Sequence, residues 1–515
     1  MIERVPGTEV TDPPHGTPSG TLRETAADLM TARLPDYTVD QYKEAMHWFQ
    51  DEIAAPLGLT TVFDPILYID GNATQALEEM ARDGELTVRI RAALEITPED
   101  DLTDWIKAAK AERAKHTHGM FKTPAVKVFA DGVVEGHTAY LAEPYADAEE
   151  YKGDPDFRGE PIWQPAAMNE AFRRLDKAGF QIHVHSIGDA ATSETLDALA
   201  YARKANGKRD WRPGITHLQL VAPGDFARFA KLGVVAVPDP YWFLKDDYYT
   251  YLQVPYLGQQ RADDEYPMRS FFKAGVTVAS ASDFPVTLPP APLTGVAVGV
   301  TRWDPVLVTE YPAPPSLEGI LWPAERASVK QMIRSFTLDD AKANFLEKRI
   351  GSIKVGKRAD LVLHTLDRPE MRPTSDMIRA LVFASRAKSI RSVIVDGRAV
   401  VSCAQKARRF EGKHVITQEG LSAEERLRWS ECFVTAGASQ CGYCSPGIVM
   451  KAEALLHKHP DPTREEIEHA LLGNLCRCTG YVKVIDAIEL DDTGSAKKSP
   501  STYWLEAPST ARATR

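Results

Sequence analysis

Short runs of apolar, β-branched residues recur between residues 58 and 286, and a stretch with the apolar spacing of an amphipathic helix follows each run. Strands that alternate with helices predict a parallel sheet with helices packed outside it. A closed (β/α) barrel needs eight strands, so we expect residues 1–350 to form a barrel that lacks one of them. The seven runs are residues 58–66, 86–94, 125–132, 180–189, 215–221, 234–240 and 276–286.

The pattern changes on both sides of this region. Residues 1–20 are polar and turn-rich and predict coil. Residues 351–402 hold short β-branched runs broken by Gly-Lys and Asp-Gly turns, which predict a small β module. Residues 403–490 have helical patterns, with a capping box from Thr463 to Glu466, and residues 491–515 predict a disordered tail.

Composition and charge exclude some classes of partner. The 515 residues are 43% hydrophobic and 26% charged, as in an ordinary globular protein, and the net charge is −11. An acidic balance argues against nucleic acid or an anionic membrane as the partner. The chain shows no apolar stretch long enough to span a bilayer and no secretory signal at its polar N-terminus, so we expect a cytoplasmic protein.

Residues able to bind a metal fall at successive predicted strand ends: Lys127, His183, His185, His217 and Asp283. His183 and His185 are two apart on a strand and therefore point to the same side. Imidazoles and carboxylates are the usual ligands of zinc in hydrolytic sites, where the metal lowers the pKa of bound water towards neutrality. Each residue alone has an ordinary alternative: a histidine could be hydrogen-bonded in the core, and the lysine could be paired with a carboxylate. Their occurrence at successive strand ends favours a metal site. In such a site Asp283 could also carry protons.

Residues from about Thr21 to Val401 resemble the amidohydrolase superfamily, in its family 3 (YtcJ-like) branch. The resemblance implies a metal-dependent hydrolase of non-peptide C–N bonds, with a small-molecule amide-type substrate and zinc as the expected metal. It also implies that Lys127 can be carbamylated and bridge two metals, that His185, His217 and Asp283 are ligands, and that His183 is an inward neighbour. The motifs that carry it are GTLRETAADL, GLTTVFD, VKVFADGVVEG, HVHSIGDAA, THLQLV, ASDFPV and GSIKVGKRADLVL with VIVDGRAVV.

One part of the family pattern is missing. The family's first barrel strand carries a His-x-His pair that binds metal, and the chain shows no such strand. His116-Thr-His118 has the spacing but lies in a Lys/Arg-rich segment, where a solvated helix end is expected. We therefore expect a barrel with an open edge, and a site that holds one metal through Lys127, His185 and His217, or none.

Four cysteines form a second candidate site: Cys441, Cys444, Cys476 and Cys478. In a reducing compartment, such clustering predicts metal or iron–sulfur ligation rather than disulfides. Four thiolates satisfy a [2Fe–2S] cluster. A structural zinc site with four cysteines is the alternative, although a CxC spacing is uncommon there.

Residues from about 403 to 490 resemble the [2Fe–2S]-binding second domain of the xanthine dehydrogenase and aldehyde oxidoreductase family, through QCGYCSPGIVM and GNLCRCTGY. The resemblance implies a four-helix bundle in which the four cysteines hold one cluster. It also implies that Gln440 contacts a molybdopterin cofactor, so that a molybdopterin-containing subunit is a candidate partner. Cys403 corresponds to a ligand of a different cluster whose domain is absent, and Cys432 predicts a packed thiol.

Three hypotheses remain open at this level. The chain is a metal-dependent hydrolase with an iron–sulfur appendage, an iron–sulfur electron-transfer subunit of a molybdopterin enzyme, or a chimera with an impaired hydrolase site. The substrate is set by loops rather than by the fold. Trp242, Phe243, Tyr248 and Tyr249 either line an aromatic pocket or pack as ordinary loop residues.

Overall fold

The computed structural model describes most of the chain and divides it into two units, residues 1–405 and 406–515. The described residues are 2–5, 17–22, 30, 33–116, 118–303, 319–365, 376–383, 389–400, 420–440, 442, 444–471, 476 and 481–492.

A curled sheet of seven parallel strands forms the centre of the first unit, in the order β3-β4-β5-β6-β7-β8-β9. Each strand pairs with the next along the chain, as expected of strands joined by right-handed helical crossovers. No pairing joins β3 to β9 within the described ranges, so the sheet is a half-barrel, and the seven predicted strands are confirmed. The strands are β3 (Thr61–Leu67), β4 (Arg89–Glu95), β5 (Phe121–Phe129), β6 (Gln181–Ser186), β7 (Gly214–His217), β8 (Val235–Pro238) and β9 (Thr277–Val278).

Helices cover the outer face of this sheet and bury its apolar side chains. Local signals set their ends: Asp101 caps one helix by accepting hydrogen bonds from the amides of Thr103 and Asp104, and Gly84 ends another in a left-handed conformation. The helices are α1 (Val39–Trp48), α2 (Ala55–Leu57), α3 (Asn72–Asp83), α4 (Leu102–Lys115), α5 (Ala148–Lys152), α6 (Pro165–Lys177), α7 (Asp189–Asn206), α8 (Asp225–Leu232), α9 (Val254–Leu257), α10 (Gln259–Asp263), α11 (Arg269–Lys273), α12 (Pro292–Thr301), α13 (Val329–Ser335), α14 (Leu338–Ala343) and α15 (Met377–Phe383).

Two small antiparallel sheets complete the unit. β10 (Leu361–His364), β11 (Ile390–Val395) and β12 (Arg398–Val400) form the predicted small β module. β1 (Ile2–Val5) pairs with β2 (Thr17–Leu22), so the prediction of coil over residues 1–20 is wrong for these segments. Proline and glycine made TPSGTL look like a turn, but a two-stranded ribbon tolerates them because each strand has a free edge.

A buried ion pair fastens the β module to the sheet. Arg89, the first residue of β4, donates hydrogen bonds to Asp360 (2.6 Å) and to Thr61 (2.9 Å), and the Arg89 and Asp360 side chains are only 3% and 4% exposed. The other carboxylate oxygen of Asp360 accepts from the backbone amide of Asp396, in the turn between β11 and β12. The Asp360 carboxylate therefore joins the seven-stranded sheet to the small β module.

Four helices make up the described part of the second unit: α16 (Ala423–Ala436), α17 (Ser445–Lys458), α18 (Arg464–Ala470) and α19 (Val482–Asp492). The capping box predicted at Thr463 is present, with Glu466 as its partner. The helices enclose their own apolar cluster, which includes Trp429, Ile448 and Ile467. The predicted disordered tail lies outside the described residues from 493 onwards, and α19 extends two residues into it.

Within the ranges that the structure describes, every helix is too short or too polar to cross a membrane.

The first prediction concerns the Arg89–Asp360 pair. Replacing Asp360 by Asn leaves the guanidinium of Arg89 buried without a counter-charge, so we expect the free energy of unfolding to fall by about 3–5 kcal/mol. Urea denaturation of the full chain measures the loss. The matched control is Asp210→Asn, because Asp210 pairs with Arg212 at the surface with its carboxylate 63% exposed, and we expect a loss of at most about 1 kcal/mol there. Equal losses in the two variants would contradict a special role for the buried pair.

Candidate active site

The parallel register brings the histidine-bearing strands side by side. Lys127 pairs with His183 across β5 and β6, and Phe129 pairs with His185 in the same ladder. His217, the last residue of β7, pairs with Ser186 at the end of β6. Side chains alternate along a strand, so residues two apart lie on the same face. The concave face of the half-barrel therefore carries Lys127, Phe129, His183 and His185.

His185 is oriented by the backbone. Its Nε2–H donates to the carbonyl oxygen of Gly132 at 2.9 Å. A carbonyl oxygen can only accept, so Nε2 carries the proton and Nδ1 of the neutral ring has a lone pair to offer. Burial, helped by the nearby charges of His217 and Lys127, holds the pKa of His185 well below its ordinary value.

His217 is oriented by a carboxylate. Its Nδ1–H donates to Asp239 at 2.8 Å, which leaves Nε2 as the nitrogen with a lone pair. The rings of His185 and His217 lie edge to face with their centroids 4.6 Å apart. His217 also has a φ of 73°, a left-handed conformation that a non-glycine residue rarely adopts and that is common at functional sites.

Lys127 is buried, with 2% of its surface exposed. Burial lowers the pKa of its amine to about 8, although the carboxylates of Asp283, Asp239 and Glu95 act in the opposite direction. The amine therefore has a substantial neutral fraction near neutral pH.

His183 lies level with Lys127, deeper in the half-barrel than His185. Its ring packs on Phe63, with centroids 4.8 Å apart, and against the backbone of Gly214. Burial and the charge of Lys127 hold the pKa of His183 well below its ordinary value. The charge of His217 also lowers the pKa of His183, so His183 lies within electrostatic reach of the His185 and His217 pair.

Asp283 lies in the loop after β9 and is half-buried. Its φ of 51° is again left-handed. Its negative charge raises the pKa of Lys127, which places the carboxylate within electrostatic reach of that amine.

The donor atoms fit a metal ion only in part. In the described portion of the chain, no three side chains of His, Cys, Asp or Glu are grouped closely enough to hold one. Two imidazole rings, each with one nitrogen lone pair to offer, do lie close together at His185 and His217, and imidazole is a preferred ligand of zinc. One oxygen of Asp239 is buried without a hydrogen-bond partner, while the other fixes His217, as a carboxylate behind a metal-binding histidine commonly does.

Two important carboxylates were not predicted. Asp239 directly follows β8, so the rule that strand ends carry function would have found it. Asp131 follows β5 and is fully buried, where it accepts hydrogen bonds from the backbone amides of Ile187, Gly188 and Tyr140 at 2.8–3.0 Å. Burial raises its pKa to about 7 despite these bonds, and its role is to join the loops after β5 and β6.

The His116-Thr-His118 segment lies away from this site. It precedes β5, at the opposite end of that strand from Lys127. His118 pairs with Glu78 at 2.7 Å, whereas His116 is buried and bonds to Thr123 at 2.9 Å. The prediction of a solvated helix end is therefore wrong for His116, because the start of β5 covers its ring.

The second candidate site is described in part. Cys441 and Cys478 lie outside the described residues, as does Cys403. Cys476 is buried and Cys444 half-buried, and both belong to or pack on the core of the second unit. Cys432 is buried within α16, as predicted for a packed thiol.

Local geometry suits thiolates at the described cysteines. Cys444 is the N-cap residue of α17, and a helix N-terminus favours a negative charge. The backbone amide of Cys476 donates to the hydroxyl of Tyr481 at 2.8 Å. Gly442 has a φ of 73°, which a side chain would strain, and the neighbouring Gln440 is exposed.

Comparisons with known proteins agree with both halves. Residues 1–401 match the model of the amidohydrolase family, and residues 417–489 match that of the [2Fe-2S] binding domain. Protein LONG AFTER FAR-RED 3 of Arabidopsis thaliana is 29% identical over 68% of this chain and 57% of its own length. The nicotinate dehydrogenase small FeS subunit of Eubacterium barkeri is 47% identical over 19% of this chain and 62% of its own length.

The fold has solved counterparts. An uncharacterized metal-dependent hydrolase from Pyrococcus horikoshii OT3 shares the fold with a TM-score of 0.53 and 19% identity, over 68% of this chain and 65% of that one. The chain thus spans less than two thirds of each of these proteins.

The contact between Gly214 and His183 generates a prediction. A Cβ at residue 214 would lie 2.9 Å from His183 Nδ1, too close for a ring held by packing. We expect Gly214→Ala to destabilise the fold by about 1–3 kcal/mol through overpacking. The matched control is Gly224→Ala, where a Cβ meets nothing within 4 Å, and its stability should change much less. Thermal unfolding of both variants is the measurement, and a Gly214 variant as stable as the control would contradict the packing described.

Proposed function

Because the chain belongs to the amidohydrolase family over residues 1–401, we propose that its half-barrel is a metal-dependent hydrolase of amide-type C–N bonds other than peptide bonds. The observation that supports it most is the pair of oriented imidazoles. His185 and His217 each give one N–H to an oxygen acceptor and direct a lone pair elsewhere, 4.6 Å apart by ring centroids. Such a pair is suited to binding a cation.

In this proposal His185 Nδ1 and His217 Nε2 bind the metal, and Asp239 holds the His217 ring in the required tautomer. A divalent cation at this position supplies polarisation of the scissile carbonyl and an activated water at neutral pH. Asp283 takes the proton from the attacking water and delivers it to the leaving nitrogen as the C–N bond breaks. Water oxygen thereby joins the carbonyl carbon, and the products are a carboxylic acid and an amine.

Lys127 completes the ligand set in this proposal. Its pKa of about 8 leaves neutral amine available, and only a neutral amine can attack carbon dioxide. The resulting carbamate adds an oxygen donor beside the two imidazoles, with release of one proton. His183 is assigned a packing role next to Lys127.

We propose a single zinc ion. Among the strands that the structure describes, only β6 carries a His-x-His sequence, so a second pair of imidazoles on another strand is not available there. Zinc suits two nitrogen donors and one oxygen donor with an open position for water. An impaired hydrolase site remains the outcome to exclude by experiment.

The test is metal binding and turnover by the full chain. We expect one zinc per chain, and we expect His185→Ala and His217→Ala to lose both zinc and hydrolysis of simple amides. Asp239→Asn should weaken zinc binding by about 10–100-fold, because the carboxylate that accepts the His217 Nδ1–H and fixes the ring is lost. Competition with a chelator measures the affinity.

A buried carboxylate outside the site provides the control. Asp225 bonds to Ser193 and Arg228 on the outer helices, so Asp225→Asn should leave zinc affinity unchanged. Full turnover by zinc-free protein, or an Asp239 variant that binds zinc like the wild type, would contradict the proposal.

The second unit carries the [2Fe-2S] binding domain, and we propose that Cys441, Cys444, Cys476 and Cys478 hold one cluster. A second candidate function rests on this domain. The chain would pass electrons to or from a molybdopterin-containing subunit, with Gln440 near the cofactor, because relatives of this segment are named as FeS subunits of dehydrogenases. We further propose a division of the chain into the barrel (residues 1–350), the small β module (351–402), the helical [2Fe–2S]-binding domain (403–490) and a C-terminal tail (491–515). We also propose a cytoplasmic location, because cysteine thiols stay reduced there.

The cluster predicts a spectroscopic result. Reconstituted full-length protein should absorb in the visible, bleach on reduction by dithionite and give a paramagnetic resonance signal. Cys444→Ala and Cys476→Ala should lose these signals, whereas the control Cys432→Ala should keep them. Colourless protein with stoichiometric zinc in this unit would instead support the four-cysteine zinc alternative.

A further inference from the structure

Aromatic rings lie against the functional side chains of the candidate active site. The Phe129 ring lies 4.5 Å from Lys127 Nζ and 5.0 Å from the His185 ring. Trp242 stacks on His217, with centroids 5.5 Å apart and planes inclined by only 12°. Both aromatic side chains are half-buried, so part of each remains uncovered by protein.

Trp242 is fixed by the loop that also carries Asp283. Its indole N–H donates to Thr287 Oγ1 at 3.0 Å. The residues on either side of Thr287 are Val286 and Leu288, which are 71% and 70% exposed. This bond therefore brings the loop segment that carries these two uncovered aliphatic side chains to Trp242. We name Trp242, Val286 and Leu288 the apolar flank of the site.

The charges near the site disfavour an anionic substrate. The groups that act on Lys127 are the carboxylates of Asp283, Asp239 and Glu95, which outnumber the single amine. Together with the carbamate proposed at Lys127, these carboxylates also outweigh the two charges of the proposed zinc ion, so an additional carboxylate on the substrate would meet repulsion rather than a partner. Uncovered apolar surface beside a polar centre is typical of a ligand site.

We propose that the substrate is an uncharged amide bearing an aromatic group, which packs on the apolar flank while its amide carbon faces His185 and His217. This inference rests on the proposed hydrolase function and adds the substrate class. Trp242 is then a specificity-determining residue that offers its ring face to the substrate.

Binding of benzamide to the full-length protein tests the inference without requiring turnover. Saturation-transfer NMR titrations compare benzamide with acetamide and with 4-carboxybenzamide. We expect benzamide to bind at least tenfold more tightly than either, since acetamide lacks the ring and 4-carboxybenzamide adds a negative charge. Hydrolysis of each amide by zinc-loaded protein is measured in parallel.

Three variants locate the contact. Trp242→Ala should weaken benzamide binding about tenfold, the size expected for one lost aromatic contact. Trp242→Phe should retain most of the binding, which also guards against a variant that fails to fold. Val286→Asn with Leu288→Asn should weaken binding severalfold, while the control pair Ile353→Asn with Val355→Asn, which is even more exposed elsewhere on the unit, should not.

The outcomes separate the two proposals. Benzamide binding that depends on Trp242, without hydrolysis of any amide, supports the apolar flank and contradicts the hydrolase. Two results overturn the inference while the hydrolase stands. One is hydrolysis that favours acetamide or 4-carboxybenzamide. The other is benzamide binding that survives both in Trp242→Ala and in Val286→Asn with Leu288→Asn. Equal weakening by the control pair also overturns it.

Discussion

The parallel ladder through β5, β6 and β7 is the constraint on which the candidate site depends. It sets Lys127 beside His183 and Phe129 beside His185, and it ends with His217 next to Ser186. Side chains alternate with a period of two, so a slip of one residue between β5 and β6 would turn Lys127 and Phe129 to the face opposite His183 and His185. The helices and the buried apolar core matter to the site because they pack against these strands.

Desolvation dominates the electrostatics within the ladder. Burial moves the pKa of five ionisable groups at this end of the sheet towards neutrality: it lowers the pKa of Lys127 and the two histidines of β6, and it raises the pKa of Asp131 and Asp239. Neutral nitrogen bases with fixed tautomers offer lone pairs. The same burial that costs folding free energy therefore keeps these nitrogen bases neutral, as the proposed metal site requires.

Much of this arrangement could be predicted from the sequence, because strand and helix periodicity is a local signal. All seven strands of the sheet and the positions of Lys127, His185 and His217 at strand ends followed from it. The position of Asp239 directly after β8 is visible in the sequence, but its role was missed because that role comes from a contact with His217 on the neighbouring strand. His116 was misjudged for a related reason, since its burial depends on Thr123 at the start of the next strand. The β1–β2 pair was missed because proline and glycine carry a turn signal that pairing overrode.

Each half of the chain has the physical means to act alone. The sheet unit and the helical unit enclose separate apolar cores, and their candidate sites use different ligand chemistry, imidazole and amine in one and thiolate in the other. A site that needs neutral bases and a site that needs ionised thiols place opposite demands on their surroundings. Burial supplies the first, and a helix N-terminus at Cys444 favours the second. Loss of the proposed cluster should therefore leave the proposed hydrolysis intact.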